Sequence, residues 1–226
     1  MTRQHYLAKV RRSTIQQQGK AITSTQMYEI EQVAHRQFGV LRIYMMENAG
    51  HGLADFIKDQ FKKRGQSIIR VTAVCGGGNN GGDALVAARH LSGHPKYRVS
   101  VLLLCCPSNL RTYEAKANWD IITKMGSIES LFSDKINNKI EEYISSADII
   151  IDGIFGTGMR KDVSEPYASA IRYINRSKAY VVAVDIPSGL DPNTGVAGSV
   201  CIKADATVTF HRLKIGLLKK DRKSVV

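Results

Sequence analysis

The sequence predicts an α/β fold, a mostly parallel sheet with helices between its strands, and three observations carry that prediction. Apolar runs such as Val101-Leu102-Leu103-Leu104 lack polar alternation, the pattern of strands buried on both faces of a parallel sheet. Strand-like and helix-like segments alternate along most of the chain, as helical crossovers between parallel strands require. The apolar run that begins at Val71 stops in Gly76-Gly77-Gly78-Asn79-Asn80-Gly81-Gly82-Asp83, after which Leu85, Ala88 and Leu91 resume helical spacing. A helix N-terminus behind such a loop binds anions, because its free N–H groups point at the ligand. Gly76, Gly77, Gly78, Gly81 and Gly82 are expected to allow the close approach, with φ > 0 available to them.

The elements follow in order. Thr23 and Gln26 stand at capping-box spacing and open a helix with Met27, Ile30, Val33 and Ala34 on one face, ending near Gly39. A second helix carries Met45, Met46, Ala49, Leu53, Ile57 and Phe61 at helical spacing, a core stripe. Glu47 and Asn48 beside it fit either a surface face or a buried orienting contact. Strands are expected over residues 68–75, 97–105, 148–155 and 180–186, with helices over 83–91, 111–125, 134–144 and 166–175. Residues 205–210 alternate and read as an edge strand. No internal repeat or low-complexity linker interrupts the pattern.

Length and composition suit one globular domain. The chain has 226 residues, 43% of them hydrophobic, and a net charge of +12. No stretch approaches the roughly 20 apolar residues of a membrane-spanning helix, and no cleavable secretion signal opens the chain. A cytoplasmic location without membrane contact is expected. The charge lies at the ends: residues 1–28 and 211–226 each carry +5, leaving +2 for the body. That argues against nucleic acid as the partner of the fold itself. Residues 1–20 form a basic arm ahead of a domain over 21–226. A plain flexible arm is preferred, with a nucleic-acid or membrane contact and an organelle presequence left open. Cys75, Cys105, Cys106 and Cys201 sit in or beside apolar runs and read as reduced core residues.

Three loops follow three strands directly: 76–83, then Asp152-Gly153-Ile154-Phe155-Gly156-Thr157-Gly158, then Asp185-Ile186-Pro187-Ser188-Gly189. In a parallel sheet these loops share one edge, where ligands bind. Gly76, Gly78 and Gly81 match G-x-G-x-x-G, but no acidic residue occurs between Asp83 and Glu114 to hold a ribose hydroxyl, so a redox dinucleotide enzyme loses its supporting residue. No Gly-Lys-Ser/Thr makes a P-loop, Ser188 lacks an esterase frame, and the six histidines form no zinc pattern. Acid/base chemistry on a phosphate-bearing molecule remains, with Asn80, Asp152 and Ser188 as oxygen donors suited to a hard cation.

These segments, together with Met-Glu-Asn-Ala-Gly (46–50), Val-Asp-Ile-Pro-Ser-Gly-Leu-Asp (184–191) and Ala-Asp-Ala-Thr-Val-Thr-Phe (204–210), resemble in order the motifs of NAD(P)H-hydrate epimerases, YjeF N-terminal type. The resemblance covers residues 21–218. It implies a Rossmann-like three-layer α/β/α sandwich and epimerisation of R and S hydrated NADH and NADPH (NADHX, NADPHX) at C6 of the nicotinamide ring, a nicotinamide cofactor repair step. Carried over by motif, Asn79, Asn80, Gly81, Gly82 and Asp83 line the substrate, as do Gly156, Thr157, Gly158, Met159, Arg160, Lys161 and Asp162. Asp185 contacts the reacting end as general acid/base, and Asn80, Asp152 and Ser188 ligate a potassium ion. The resemblance also implies a homodimer and an ADP- or ATP-dependent NAD(P)H-hydrate dehydratase, separate or fused, as functional partner.

Two features depart from the family pattern. Ala84 replaces the glycine that usually follows Gly-Gly-Asp, and the chain stops where one more strand is expected. The competing readings are a non-catalytic nucleotide- or RNA-binding scaffold of the same fold, and an NADP-dependent oxidoreductase using Arg98 or Arg111 on a 2′-phosphate.

Overall fold

The computed structural model describes residues 21–62, 67–158, 162–218 and 224–225, so the basic arm and the tail residues 219–223 lie outside it. Helix α1 spans Ser24–Phe38, α2 Arg42–Phe61, β1 Ile69–Cys75, α3 Asn79–Ser92 and β2 Tyr97–Leu103. Then come α4 (Tyr113–Lys124), β3 (Glu129–Phe132), α5 (Asn138–Ser145), β4 (Ile149–Gly153), α6 (Tyr167–Arg176) and β5 (Tyr180–Val184). The last elements are β6 (Ala206–Val208), α7 (Ile215–Leu218) and β7 (Ser224–Val225). The sheet runs β3-β2-β1-β4-β5-β6-β7, and every pairing is parallel. Strand order reverses between β1 and β4, which opens a crevice at the carboxyl edge there.

The layers follow from the double-sided apolar strands. On one face Val71, Ala73 and Val101 pack against Leu53, Leu85 and Trp119 of α2, α3 and α4. On the other, Val74, Leu102 and Ile150 meet Ile140, Ile144 and Ile171 of α5 and α6. The expected α/β/α sandwich is thus present. Ile149, Ile150 and Ile151 are fully buried, each contributing about 1.5–3 kcal/mol. That burial makes β4 a rigid mount for Asp152.

At α1, Thr23 accepts from the Gln26 N–H, Gln26 returns to the Thr23 N–H, and Gly39 ends the helix in the left-handed conformation, as its sequence implies. On its apolar face Met27 is buried, but Ile30 and Val33 are 36% and 41% exposed, because no element of the described chain covers that side. Phe38, Val40, Leu41 and Tyr44 extend the same apolar surface.

Three further expectations change. Helix α3 begins at Asn79, four residues before its expected start, since a glycine-rich first turn hides helical periodicity. The short edge strand β3 is missed by the pattern because its four residues are all partly exposed. Strand β6 is flanked by β5 and β7, so it is not an edge. Glu47 meets α3, accepting hydrogen bonds from Arg89 and His90.

Candidate active site

The register brings the strand ends together: Cys75 lies beside Gly153, Asp152 beside Ala183, and Val184 beside Val208. Between the segments that follow is a cavity of about 340 Å³. Asn79, Asn80 and Asp83 line it from α3, Gly156, Thr157 and Gly158 from the loop after β4, and Asp185 from the end of β5. Met159, Arg160 and Lys161 lie outside the described residues, and Asp162 is exposed and does not line the cavity. A larger apolar groove of about 820 Å³ adjoins it, sharing Glu31, Asn79, Asp83 and Phe210. It lacks Asp185 and the Gly156–Gly158 loop.

The glycine loop works differently from its expectation. None of its five glycines has a positive φ. Gly76, Gly81 and Gly82 are there for closeness: a Cβ on Gly76 would overlap the Ile154 carbonyl oxygen, and one on Gly81 the Gly76 carbonyl oxygen, whereas one on Gly78 would meet nothing. Gly82 packs against Met46. Gly81 and Gly82 are therefore buried behind the cavity wall, shaping it from within α3. Ala84 is fully buried, and its methyl group faces Gly153 in the α3–β4 contact. Its extra carbon is thus spent on core packing rather than on the anion approach.

Asp185 is held in an unusual conformation. Its φ is 61°, and the Ile186 N–H donates to the Val184 carbonyl at 2.6 Å, a tight three-residue turn centred on the aspartate. Such positions carry strain and cluster at functional sites, and Asp tolerates them better than most residues. Its Oδ1 accepts from the Thr209 hydroxyl at 3.0 Å, the Phe210 N–H at 3.1 Å and the Lys214 ammonium. No donor among the described residues reaches Oδ2. Lys214 is 0% exposed, and its remaining contacts are Thr209 Oγ1 at 3.1 Å and the Phe210 carbonyl at 3.0 Å. It belongs to the site rather than to the basic tail in which its charge was counted. A lone lysine between Leu213 and Ile215 is the signal that sequence reasoning passed over.

Asp152 and Ser188 are fully buried beside this. Ser188 donates its hydroxyl to Asp152 Oδ1 at 2.6 Å and its N–H to Oδ2 at 2.8 Å. The Asn80 amide donates to the Phe155 carbonyl at 2.9 Å, and that carbonyl lies 3.2 Å from the Ser188 hydroxyl. Asn80 Oδ1 faces Gly156, where a Cβ would come within 2.9 Å of it. Burial raises the Asp152 carboxyl to about 6, against the opposing hydrogen bonds from Ser188 and Ile154. Oxygen donors with a single carboxylate are what a large monovalent cation takes, so this donor set fits potassium.

Two further acids have carboxyls pushed upward. Asp83 lies well above the usual range, first because of burial and then because Asp185 and Glu31 are nearby, with Lys214 opposing. Glu31 is raised by burial and Asp185, opposed by Lys214 and Arg42. Arg111, anchored by its N–H to the Gly77 carbonyl at 2.8 Å, is the cation among the described residues lining the cavity.

With this geometry in view, comparison with known proteins is specific. A family model described as YjeF-related protein N-terminus matches residues 42–216. The chain is 46% identical over 199 residues to the NAD(P)H-hydrate epimerase of Cenarchaeum symbiosum (strain A), covering 88% of each. It is 44% identical over 184 residues to the bifunctional NAD(P)H-hydrate repair enzyme Nnr of Methanothermobacter thermautotrophicus, covering 81% of this chain and 34% of that one. Among solved structures, the crystal structure of yeast ynu0, YNL200c, superposes with a TM-score of 0.79 at 26% identity, over 90% of this chain and 86% of that one. The chain belongs to the YjeF-related N-terminal family, the family of these NAD(P)H-hydrate epimerase relatives.

Proposed function

We propose that the cavity epimerises hydrated NADH and NADPH at C6 of the nicotinamide ring, with Asp185 as acid/base. The chain is an isomerase, an NAD(P)H-hydrate epimerase like its relatives. The observation that carries the catalytic assignment is Asp185 itself, one carboxylate oxygen saturated by three donors and the other without a partner in the cavity. The ring nitrogen's lone pair helps expel the C6 hydroxyl as the carboxyl protonates it. Water then adds to the other face of the planar cation, and a carboxylate takes its proton. A rigid strand end holds the group in place.

The substrate segments within the cavity are Asn79 to Asp83 and Gly156 to Gly158. Asn79, Asn80 and Asp83 meet it directly, while Gly81 and Gly82 let α3 approach. Arg111 takes its phosphates. Arg111→Ala is expected to raise KM about tenfold, the loss of one charge-assisted contact, with kcat within a few-fold. An unchanged KM in steady-state kinetics removes that role.

Asn80, Asp152 and Ser188 would hold a potassium ion, whose positive charge would help fix the loop after β4. The cation binds ionised Asp152. Because that carboxyl sits at about 6 without it, affinity falls as pH drops through that value. Potassium is expected to bind about tenfold more weakly near pH 5 than near pH 7. Equal rises in thermal midpoint at both pH values speak against Asp152 as a ligand.

A homodimer would bury the open apolar face of α1, where Phe38 is 75% exposed. Phe38→Glu is then expected to leave a monomer in sedimentation, and a wild-type monomer excludes the arrangement. The functional partner is a dehydratase that restores only the S epimer to NAD(P)H. The reading is tested by supplying that dehydratase with a mixture of epimers. Alone it stops once S is consumed, and with this chain added it runs to completion. Completion no faster than spontaneous epimerisation removes the reading.

A further inference from the structure

The epimerisation has to end on the opposite face of C6 from where it began, and a single carboxyl fixed at a strand end serves one face. The group that serves the other is therefore sought on a separate wall of the cavity. The sheet order supplies one. Helix α3 follows β1, Asp185 follows β5, and β4 with its Gly156–Gly158 loop lies between them. Asp83 is on α3, lines the same cavity, and has no hydrogen-bond or ion-pair partner among the described residues.

We propose that Asp83 is the second catalytic carboxyl of the reaction, acting as an acid on one face of C6 while Asp185 acts as the base on the other. This rests on the epimerase reading above. The charge arrangement separates the two roles. Lys214, fully buried, gives its ammonium to Asp185, which also holds the Thr209 hydroxyl and the Phe210 N–H. Asp83 has no such cation. Glu31 from α1 and Asp185 surround it with negative charge, and the cations of the region are committed or peripheral: Lys214 to Asp185, Arg42 beside Glu31, Arg111 at the phosphate end. His211 borders the adjoining groove, and its imidazole is held below its usual range by burial and by Arg212 and Lys214. A protonated Asp83 is consistent with burial raising its carboxyl.

The step balances. Asp83 gives its proton to the C6 hydroxyl, the C6–O bond breaks with its electrons leaving in water, and the ring nitrogen's lone pair forms the C=N bond. A water on the other face donates an electron pair to C6, and its proton passes to the Asp185 carboxylate. The enzyme is left with Asp83 ionised and Asp185 protonated, the state from which the reverse reaction starts. Proton exchange with solvent in the cavity resets it. Such a pair, one acid and one base with environments that differ, resembles in logic the two carboxyls of inverting glycosidases.

The test uses the full chain with R-enriched and S-enriched hydrated NADH in ¹⁸O-water, comparing wild type with Asp83→Asn. Wild type is expected to incorporate a solvent oxygen at C6 with each epimerisation, and its R-to-S rate to fall as pH rises and Asp83 loses its proton. Asp83→Asn is expected to lose about 100-fold or more in both directions, with substrate affinity changed only a few-fold. A variant that keeps its rate within a few-fold overturns the proposal, as does a wild-type rate that stays flat over the whole pH range in which the protein is folded, which needs no variant to fold. Wild-type epimerisation that retains the original oxygen also overturns it, since the hydroxyl has then never left. If the wild type does not accelerate epimerisation at all, the epimerase reading itself fails, an outcome distinct from an active Asp83→Asn.

Discussion

Lys214→Met is expected to lower the stability of the protein by about 3–5 kcal/mol, the cost of removing one partner from a buried ion pair. The lysine is 0% exposed and the Asp185 side chain 13%, so little water is available to replace the lost ammonium. Methionine fills much of the same volume, which confines the effect to charge and hydrogen bonding rather than to a cavity. Thr209 and the Phe210 carbonyl lose a donor as well. Urea unfolding measures the change. The double variant Lys214→Met/Asp185→Asn is expected to recover part of the loss, because it leaves no uncompensated carboxylate. A single variant within about 0.5 kcal/mol of wild type, the range of ordinary surface substitutions, contradicts a structural role for the pair.

Asp185→Asn is expected to slow epimerisation by about 10²–10⁴-fold, the usual contribution of a positioned acid or base. The variant is informative because asparagine also tolerates the left-handed backbone at φ 61°, and its amide oxygen still accepts from Thr209 and Phe210. Charge and proton transfer are removed while the turn is kept. It also leaves Lys214 without its counter-ion, so the rate must be measured on protein whose folded fraction has been checked by unfolding. A rate within a few-fold of wild type excludes Asp185 as acid/base. A rate loss confined to KM would make it a binding residue instead.

Most of the sheet was legible because double-sided burial leaves a plain mark: Val71 to Cys75 and Val99 to Leu103 are apolar apart from Thr72 and Ser100, whose hydroxyls hydrogen-bond to each other. The loops after β1, β4 and β5 were legible for the same reason, since each apolar run ends where the motif begins. What the chain hides is what depends on tertiary approach. Gly76 and Gly81 of the first loop are explained by the Ile154 and Gly76 carbonyls, neither of which spacing can place beside them. Lys214 carries a charge that composition assigned to solvent, and only the fold brings it to Asp185. Ile30 and Val33 show the converse, an apolar stripe at helical spacing that no element of the described chain covers. Amphipathic periodicity marks a surface that wants covering, without saying what covers it.

The cavity is proposed to interconvert the two epimers of hydrated NADH. The most direct measurement adds purified protein to R-enriched and, separately, S-enriched material and follows the epimer ratio by chromatography, with potassium and with sodium. Both mixtures are predicted to reach the same final ratio much faster than the protein-free control, and faster in potassium than in sodium. Two ratios that drift at the spontaneous rate, in the presence of folded protein and potassium, would contradict it.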